Sequence, residues 1–376
     1  MSLRVARVTL REIRMPLREP FEISSGRTTG RRILLLELAD TDGTTAWSEC
    51  VAGEQPSYSA ETVDTAWHAI TEWIAPRVLA AGISHPRTLD GMLRRAIRGH
   101  PMAKAAVEMG AWTLQAERDG VSLSRLLGGT RAAIATGISI GIQSTPAQLT
   151  DKAATALARG YRRIKMKIRP GADIEFIAAA REALGPEAPL MADANSAYTP
   201  AHADHLADLD AYRLQMLEQP LAQDDLRRHA QLQDRLATPI CLDESIPHAE
   251  AAEDMLALRA GRIVNVKAGR VGGFTQALAI HDLCRRHAVP VWCGGMLESG
   301  IGRACNVALA SLPNFTLPGD VSPSTRYWER DVVTPEWTMD AAGMVAVPAD
   351  RPGLGVTVDI DRIDDLTARQ RTLAAR

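Results

Sequence analysis

Five short apolar runs in the second half of the chain each end in a charged residue, at nearly constant spacing. They are RRIKMKI with Lys165 and Lys167, PLMADAN with Asp193, LQMLEQP with Glu218, PICLDES with Asp243 and RIVNVKAG with Lys267, at steps of 24 to 28 residues. A strand, a loop, a helix and a returning loop consume about that length, since a crossover needs at least ~10–12 residues and commonly more. The pattern predicts successive parallel strands with charges at their carboxyl ends. In a closed βα barrel that is where active sites are built.

Eight candidate strands follow from residue 132 onward: IATGISIGI, RRIKMKI, PLMADA, LQMLEQ, PICLDE, RIVNVK, VPVWCGG and FTLPGD. Helical patterns separate most of them, near 146–159, 173–184, 202–210, 224–236, 248–260 and 273–288. The first 125 residues read differently. Alternating runs at 3–14, in RRILLLELAD and in TTAWSECV predict a small antiparallel sheet, with DTDGT as a turn. Helices follow near 60–80 and 87–97, then a long one in MAKAAVEMGAWTLQAERDG. The expected organisation is an α+β domain over 1–125, a barrel over 132–325, and a segment over 326–376 returning to the first domain.

A chain of 376 residues fits a barrel plus a smaller domain. A net charge of −2 gives no reason to expect nucleic acid or an anionic membrane as partner. Cys50, Cys241, Cys284, Cys293 and Cys305 form no C-x-x-C pair and are odd in number, which suits reduced thiols and a cytoplasmic protein. The opening MSLRVARVTLREIRMPL lacks the apolar stretch of a signal peptide, and no run of about 18 apolar residues is present to span a membrane.

Residues i and i+2 of a strand share a face, so Lys165 and Lys167 point the same way, as do Asp193 and Asn195. Asp193, Glu218 and Asp243 come from three adjacent strands. Hard oxygen ligands on rigid strands suit Mg²⁺, with Mn²⁺ or another divalent cation able to substitute, and no His or Cys is placed there for Zn²⁺. Each acid alone reads as a helix N-cap; three in register, flanked by lysines, read as a site. Lys167 and Lys267 lie on opposite sides of the acids in strand order, so they would face the two sides of one carbon. A lysine is ordinarily protonated at neutral pH, and a nearby cation or desolvation makes it a usable base. Arg270 counts among the expected substrate-binding residues, placed to supply that cation or to form a rim salt bridge. Asn195 would donate to substrate or cap the next helix, and Lys165 would add charge near the substrate carboxylate.

These motifs resemble the enolase superfamily, in its muconate lactonizing enzyme subgroup. PFEISSGRTT, HPMAKAAVEM, GYRRIKMKIRPG, DANSAYT, TPICLDES, VKAGRVGG, VPVWCGGMLESGIGRA and ALASLPNFTLPGD are similar to the o-succinylbenzoate synthase and N-succinylamino acid racemase family, over nearly the whole chain. The resemblance implies a (β/α)7β barrel with an α+β capping domain built from both termini. It implies Mg²⁺ on Asp193, Glu218 and Asp243, and acid–base roles for Lys167 and Lys267. It places Ser139, Lys165, Asn195, Gly294 and Leu297 against substrate and has Phe21 and Tyr327 close the pocket. Members dehydrate 2-succinyl-6-hydroxy-2,4-cyclohexadiene-1-carboxylate in menaquinone synthesis, racemise N-acyl amino acids, or do both, commonly as homo-oligomers. Ala268, Thr113 and Cys305 depart from the family pattern without touching a ligand or a catalytic lysine.

Other readings predict different features. A dipeptide epimerase binds a free ammonium with a D-x-D pair at the last strand, where this chain has a lone Asp320 in FTLPGDVSPS. Muconate-type cycloisomerisation needs no racemase-type pocket. A Schiff-base enzyme would use GRVGG and GGMLESGIG to cradle phosphate and would leave the three acids without a role. A barrel that only binds metabolites has no need of two facing lysines.

Overall fold

The computed structural model describes residues 3–375. Strands β1 (Val5–Ile23), β2 (Gly26–Asp40) and β3 (Thr45–Cys50) form an antiparallel sheet. Then come β4 (Ala133–Ala135), β5 (Ile138–Ile140), β6 (Ile164–Lys167), β7 (Leu190–Asp193), β8 (Leu217–Glu218), β9 (Ile240–Leu242), β10 (Ile263–Val266) and β11 (Val291–Cys293). β5 to β11 make one parallel sheet in sequence order. Last are β12 (Val333–Thr334), β13 (Met344–Ala346), β14 (Thr357–Val358) and β15 (Thr367–Ala374).

The apolar runs of the barrel strands are buried on both faces, as parallel strands covered by helices must be. Met191, Met216, Cys241, Ile263 and Trp292 form a separate apolar cluster. Each of the first four lies two residues before Asp193, Glu218, Asp243 and Asn265 respectively. With a period of two, the same inward face therefore changes from a packed apolar layer to a polar layer at the strand ends.

The eighth predicted strand forms no ladder. FTLPGD joins the ring through single bridges, Val291 to Phe315 and Thr136 to Gly319. Gly319 N donates to Ala135 O at 3.0 Å and Asp320 N donates to Cys293 O at 2.8 Å, so the segment still closes the gap between β11 and the start of β5. Pro318 has no N–H to give, which limits the pairing. IATGISIGI divides into β4 and β5. The tail divides too: β13 pairs with β4 rather than with the first sheet, and only β15 reaches that sheet, antiparallel to β1. The helix Gly300–Ala310, buried along its whole length, has no counterpart among the predicted helices.

RRILLLELAD does not simply alternate between core and solvent. Ile33 and Leu35 join the barrel's apolar cluster, whereas Leu34, Leu36 and Leu38 join the cluster of the N-terminal domain. The helix Pro101–Arg118 packs on β3 and on residues 268–271. Its approach to the sheet depends on Gly110, where a Cβ would stand 2.8 Å from a Leu38 methyl and 2.9 Å from Ser48 Oγ.

Two carboxylates of this capping sheet-and-helix unit serve barrel helices. Glu49 accepts from Ser299 Oγ (2.6 Å), Ser299 N and Gly302 N at the start of Gly300–Ala310. Glu108 accepts from Phe274 N (2.8 Å) and Thr275 N (3.0 Å) at the start of Phe274–Arg286, where Gly273 offers no side chain as a cap. Among the described residues no helix is long and apolar enough to cross a membrane.

Candidate active site

The strand register brings the predicted residues together. Ser139 is opposite Lys165 across β5–β6, Lys167 opposite Asp193 across β6–β7, and Asp193 opposite Glu218 across β7–β8. Asp243 follows β9 and Lys267 follows β10. Asp193, Glu218 and Asp243 are all fully buried. Counting the closing segment as a stave, β6 and β10 stand four apart in a ring of eight, so Lys167 and Lys267 approach from opposite walls.

Lys167 Nζ donates to Asp193 Oδ2 and to Asn195 Oδ1, both at 2.6 Å. Asn195 adopts φ 42°, a left-handed conformation that Asn tolerates better than most residues. Its backbone N–H donates to Asp193 Oδ1 and its amide to Glu244 Oε1. Lys267 Nζ donates to Asp243 Oδ2 at 2.7 Å and to the Tyr58 hydroxyl at 2.8 Å. Lys165 Nζ lies 2.8 Å from both Asp193 Oδ2 and Glu218 Oε2 and 3.3 Å from Asp320 Oδ2. Arg163 Nη2 holds the other Asp320 oxygen at 2.9 Å. Both cations lie over Trp292, Arg163 Cζ at 3.9 Å and Lys165 Nζ at 4.8 Å from the ring centroid.

Burial dominates the electrostatics. It would lower the Lys165 pKa, but Asp193, Asp320 and Glu218 outweigh it and hold that amine well above the usual lysine range. Burial pushes Glu218 up to about 8, with Asp193 adding to the effect, and pushes Glu244 up to about 7, helped by Asp243 and Asp193. Asp193 and Asp243 go the other way: Lys165 and Lys167 overcome burial at the first, Lys267 and Arg270 at the second.

Among the described residues no group of three acidic, histidine or cysteine side chains is set to hold a metal ion; the amines of Lys165 and Lys267 lie against the acids instead. The donor set nevertheless fits a hard cation. Three buried carboxylates stand on consecutive staves, and Glu218 Oε2 and Asp243 Oδ1 face only cations, Lys165 Nζ at 2.8 Å and Arg270 Nε at 3.2 Å. An acid pushed toward protonation by its neighbours is one that an added cation would return to the ionised form.

A cavity of about 350 Å³ lies over these groups, within the range of small-molecule sites. Ser139, Lys165, Lys167, Asn195, Lys267 and Leu297 line it, with Phe21 and Tyr327 beside them. Its roof is the β1–β2 hairpin and the loop carrying Tyr58. Arg270 is not among the lining residues. Its guanidinium donates to Ile246 O and Asn265 O and lies 3.2 Å from Asp243 Oδ1, so it stands behind the acid rather than against a substrate. Gly294 also lies outside the lining, against the stem of Lys267. A Cβ there would come within 2.6 Å of Lys267 Cε and 2.2 Å of Asn265 Oδ1.

Three polar groups were not singled out by the sequence reading. Asn265 donates to Glu218 Oε1 at 2.8 Å; it shares a strand face with Lys267, so the alternation rule could have found it. Glu244, next to Asp243, orients Asn195. Tyr58 lies in an irregular loop, where no periodicity marks it.

A parallel ring with acids and lysines at its carboxyl end, under a separate cap, is the architecture of an enolase-superfamily enzyme. The mandelate racemase / muconate lactonizing enzyme N-terminal domain family matches residues 5–128, and the enolase C-terminal domain-like family matches residues 148–362. The chain is 49% identical over 367 residues to an o-succinylbenzoate synthase of Geobacillus stearothermophilus, covering 98% of this chain and 97% of that one. It is 44% identical over 365 residues to an N-succinylamino acid racemase of Amycolatopsis sp, covering 97% and 98%. A solved enolase-superfamily structure from Listeria innocua matches with a TM-score of 0.95 at 36% identity, over 100% of both chains. The chain belongs to the o-succinylbenzoate synthase and N-succinylamino acid racemase family of that superfamily. Enzymes of the superfamily generally work with a divalent metal ion.

Proposed function

We propose that this enzyme removes the α-proton of a carboxylate substrate, racemising N-succinyl and other N-acyl amino acids, dehydrating 2-succinyl-6-hydroxy-2,4-cyclohexadiene-1-carboxylate to o-succinylbenzoate, or both. The observation that carries this reading is the pair of amines, Lys167 and Lys267, on opposite walls of one cavity, each held by one of the buried acids. In racemisation the amine on one flank takes the α-proton and the ammonium on the other returns one to the opposite face. In dehydration one amine takes the proton and hydroxide leaves the adjacent carbon, so that water is lost.

Asp193, Glu218 and Asp243 would hold Mg²⁺, or Mn²⁺ in its place, which would offset the charge that builds on the substrate carboxylate as the proton departs. Lys165, whose ion-pair partners Asp193, Glu218 and Asp320 surround its ammonium, contributes charge rather than base strength. Ser139, Asn195 and the segment around Leu297 contact substrate. Phe21 and Tyr327 close the apolar side of the cavity. Arg270 acts on Lys267 through their shared partner Asp243. Asp320 favours N-acyl over free-amine substrates, since Arg163 and Lys165 already neutralise it and it is not free to bind an ammonium. In this reading the enzyme is cytoplasmic, assembles with copies of itself, and its dehydration serves menaquinone synthesis.

The test is a panel of N-succinyl and N-acetyl amino acids beside the dehydration substrate and a dipeptide, run in D₂O after chelation and again with Mg²⁺ restored. We expect α-deuterium in N-acyl substrates, or o-succinylbenzoate formation, only with the metal present, and the highest kcat/KM on succinyl compounds. Epimerisation of the dipeptide with no exchange on N-acyl substrates would refute the assignment.

A further inference from the structure

The two amines that face each other across the cavity are not held alike. Both polar partners of Lys167, Asp193 and Asn195, lie in the barrel. Lys267 has one barrel partner, Asp243, and one partner from the cap, Tyr58. The three groups close a triangle. The ammonium donates to the Tyr58 hydroxyl at 2.8 Å, and that hydroxyl donates to Asp243 Oδ2 at 3.1 Å. The lysine Nζ also lies 4.7 Å from the Tyr58 ring centroid, so the ring limits where the amine can swing.

The loop that carries Tyr58 is pinned at both ends and makes its reach between them. At its start Arg31 Nη2 donates to Val51 O and Ala52 O, each at 3.2 Å. At its end Glu61 accepts from Met102 N and Ala103 N in the first turn of Pro101–Arg118. The anchors belong to the cap, and the hydroxyl is delivered to the barrel.

We propose that Tyr58 is a positioning residue for Lys267. Its hydroxyl and ring fix the amine on that flank of the substrate, so proton transfer at Lys267 requires the capping loop to be seated, whereas transfer at Lys167 does not. This rests on the two-base racemase reading above, and it extends that reading by making one base depend on the cap.

The experiment uses the full-length, metal-loaded enzyme and its Tyr58→Phe variant. Solvent deuterium exchange at the α-carbon is followed separately from the L and D enantiomers of one N-succinyl amino acid, and Lys267→Ala identifies which enantiomer gives its proton on that flank. Tyr58→Phe keeps the ring and removes the hydroxyl. A displacement of the amine by an ångström is expected to slow exchange from the Lys267-dependent enantiomer by about 100-fold. Exchange from the other enantiomer should stay near the wild-type rate. Both enantiomers are read in one preparation, so any loss of folded protein scales both rates alike. Equal slowing of the two, or no slowing of either, would overturn the proposal. A wild-type enzyme that exchanges neither enantiomer would instead defeat the racemase reading itself, and the proposal would fall with it.

Discussion

The Lys167 flank and the Lys267 flank hold the same functional group against one cavity, yet they are assembled from different distances along the chain. Lys167 lies 28 residues before Asn195, and with Asp193 they belong to one βαβ unit. Their geometry follows from strand register and one left-handed asparagine. Lys267 is bounded by Asp243, by Gly294 on the next stave, and by Tyr58, which is 209 residues away. One flank draws both side-chain partners of its amine from the barrel, and the cap reaches it only at the Asn195 carbonyl, through Ser24 Oγ. The other takes one partner from the cap, which Glu49 and Glu108 join to the barrel by capping two of its helices and which Ile33, Leu35 and Trp112 join by apolar packing. The difference teaches that symmetry of chemistry across a site does not require symmetry of construction.

The comparison is broken most severely by removing the amines. Lys167→Ala and Lys267→Ala should each lower racemisation by about 10²–10⁴-fold. Each should leave α-exchange from one enantiomer, and the surviving enantiomer should differ between them. Exchange of the same enantiomer surviving in both variants would place the lysines on one flank. A smaller, one-sided effect is expected from Gly294→Ala. The new Cβ would crowd Lys267 Cε and Asn265 Oδ1 and leave Lys167 untouched, so kcat/KM should fall by about 10–100-fold, with exchange lost mainly on the Lys267 side. Equal losses on both sides would mean that Asn265 and its hold on Glu218 carry the damage.

The smallest effect concerns the docking acids. Burial pushes Glu49 up to about 8 and Glu108 up to about 7, from an ordinary 4.5. The folded state thus favours the protonated acids. The stability they contribute is fully present below pH 4.5 and is lost as pH rises through 7 to 8, by no more than about 1.4 kcal/mol per pH unit for each group. Thermal unfolding from pH 5 to 9 should show Tm falling in the wild type and falling less steeply in Glu49→Gln/Glu108→Gln. Parallel slopes would show that the donors around each acid cancel the burial effect.

Much of this was legible in the sequence because the signals were local. The charged strand ends of Lys167, Asp193, Glu218, Asp243 and Lys267 recur at the length of a βα unit, and the alternation rule turns them inward. Helices such as Pro146–Ala158 and Phe274–Arg286 lie close to where periodicity placed them. What stayed hidden depended on distant partners. Gly300–Ala310 is buried all round, its polar Arg303 and Asn306 included, so no solvent-facing side sets it apart. The segment Phe315–Asp320 has the composition of a strand, but Pro318 leaves it only single bridges. Tyr58 sits in a stretch rich in Ser, Gln and Pro that reads as plain loop. From the sequence Arg270 is expected at the substrate, as the cation beside Lys267 or as a rim ion; nothing in KAGRVGG says that its side chain turns under Asp243. Glu49 and Glu108 carry no local mark either, since the backbone amides they accept from lie more than 160 residues away.

The cap's four-stranded sheet is completed by β15, residues Thr367–Ala374, laid along β1. During synthesis every barrel stave leaves the ribosome before that strand does. The Lys167 wall can therefore be in place on a nascent chain, while the edge strand of the unit that delivers Tyr58 follows every stave of the barrel. The newborn enzyme would acquire its two proton-transfer flanks in sequence, the barrel-held one before the cap-held one.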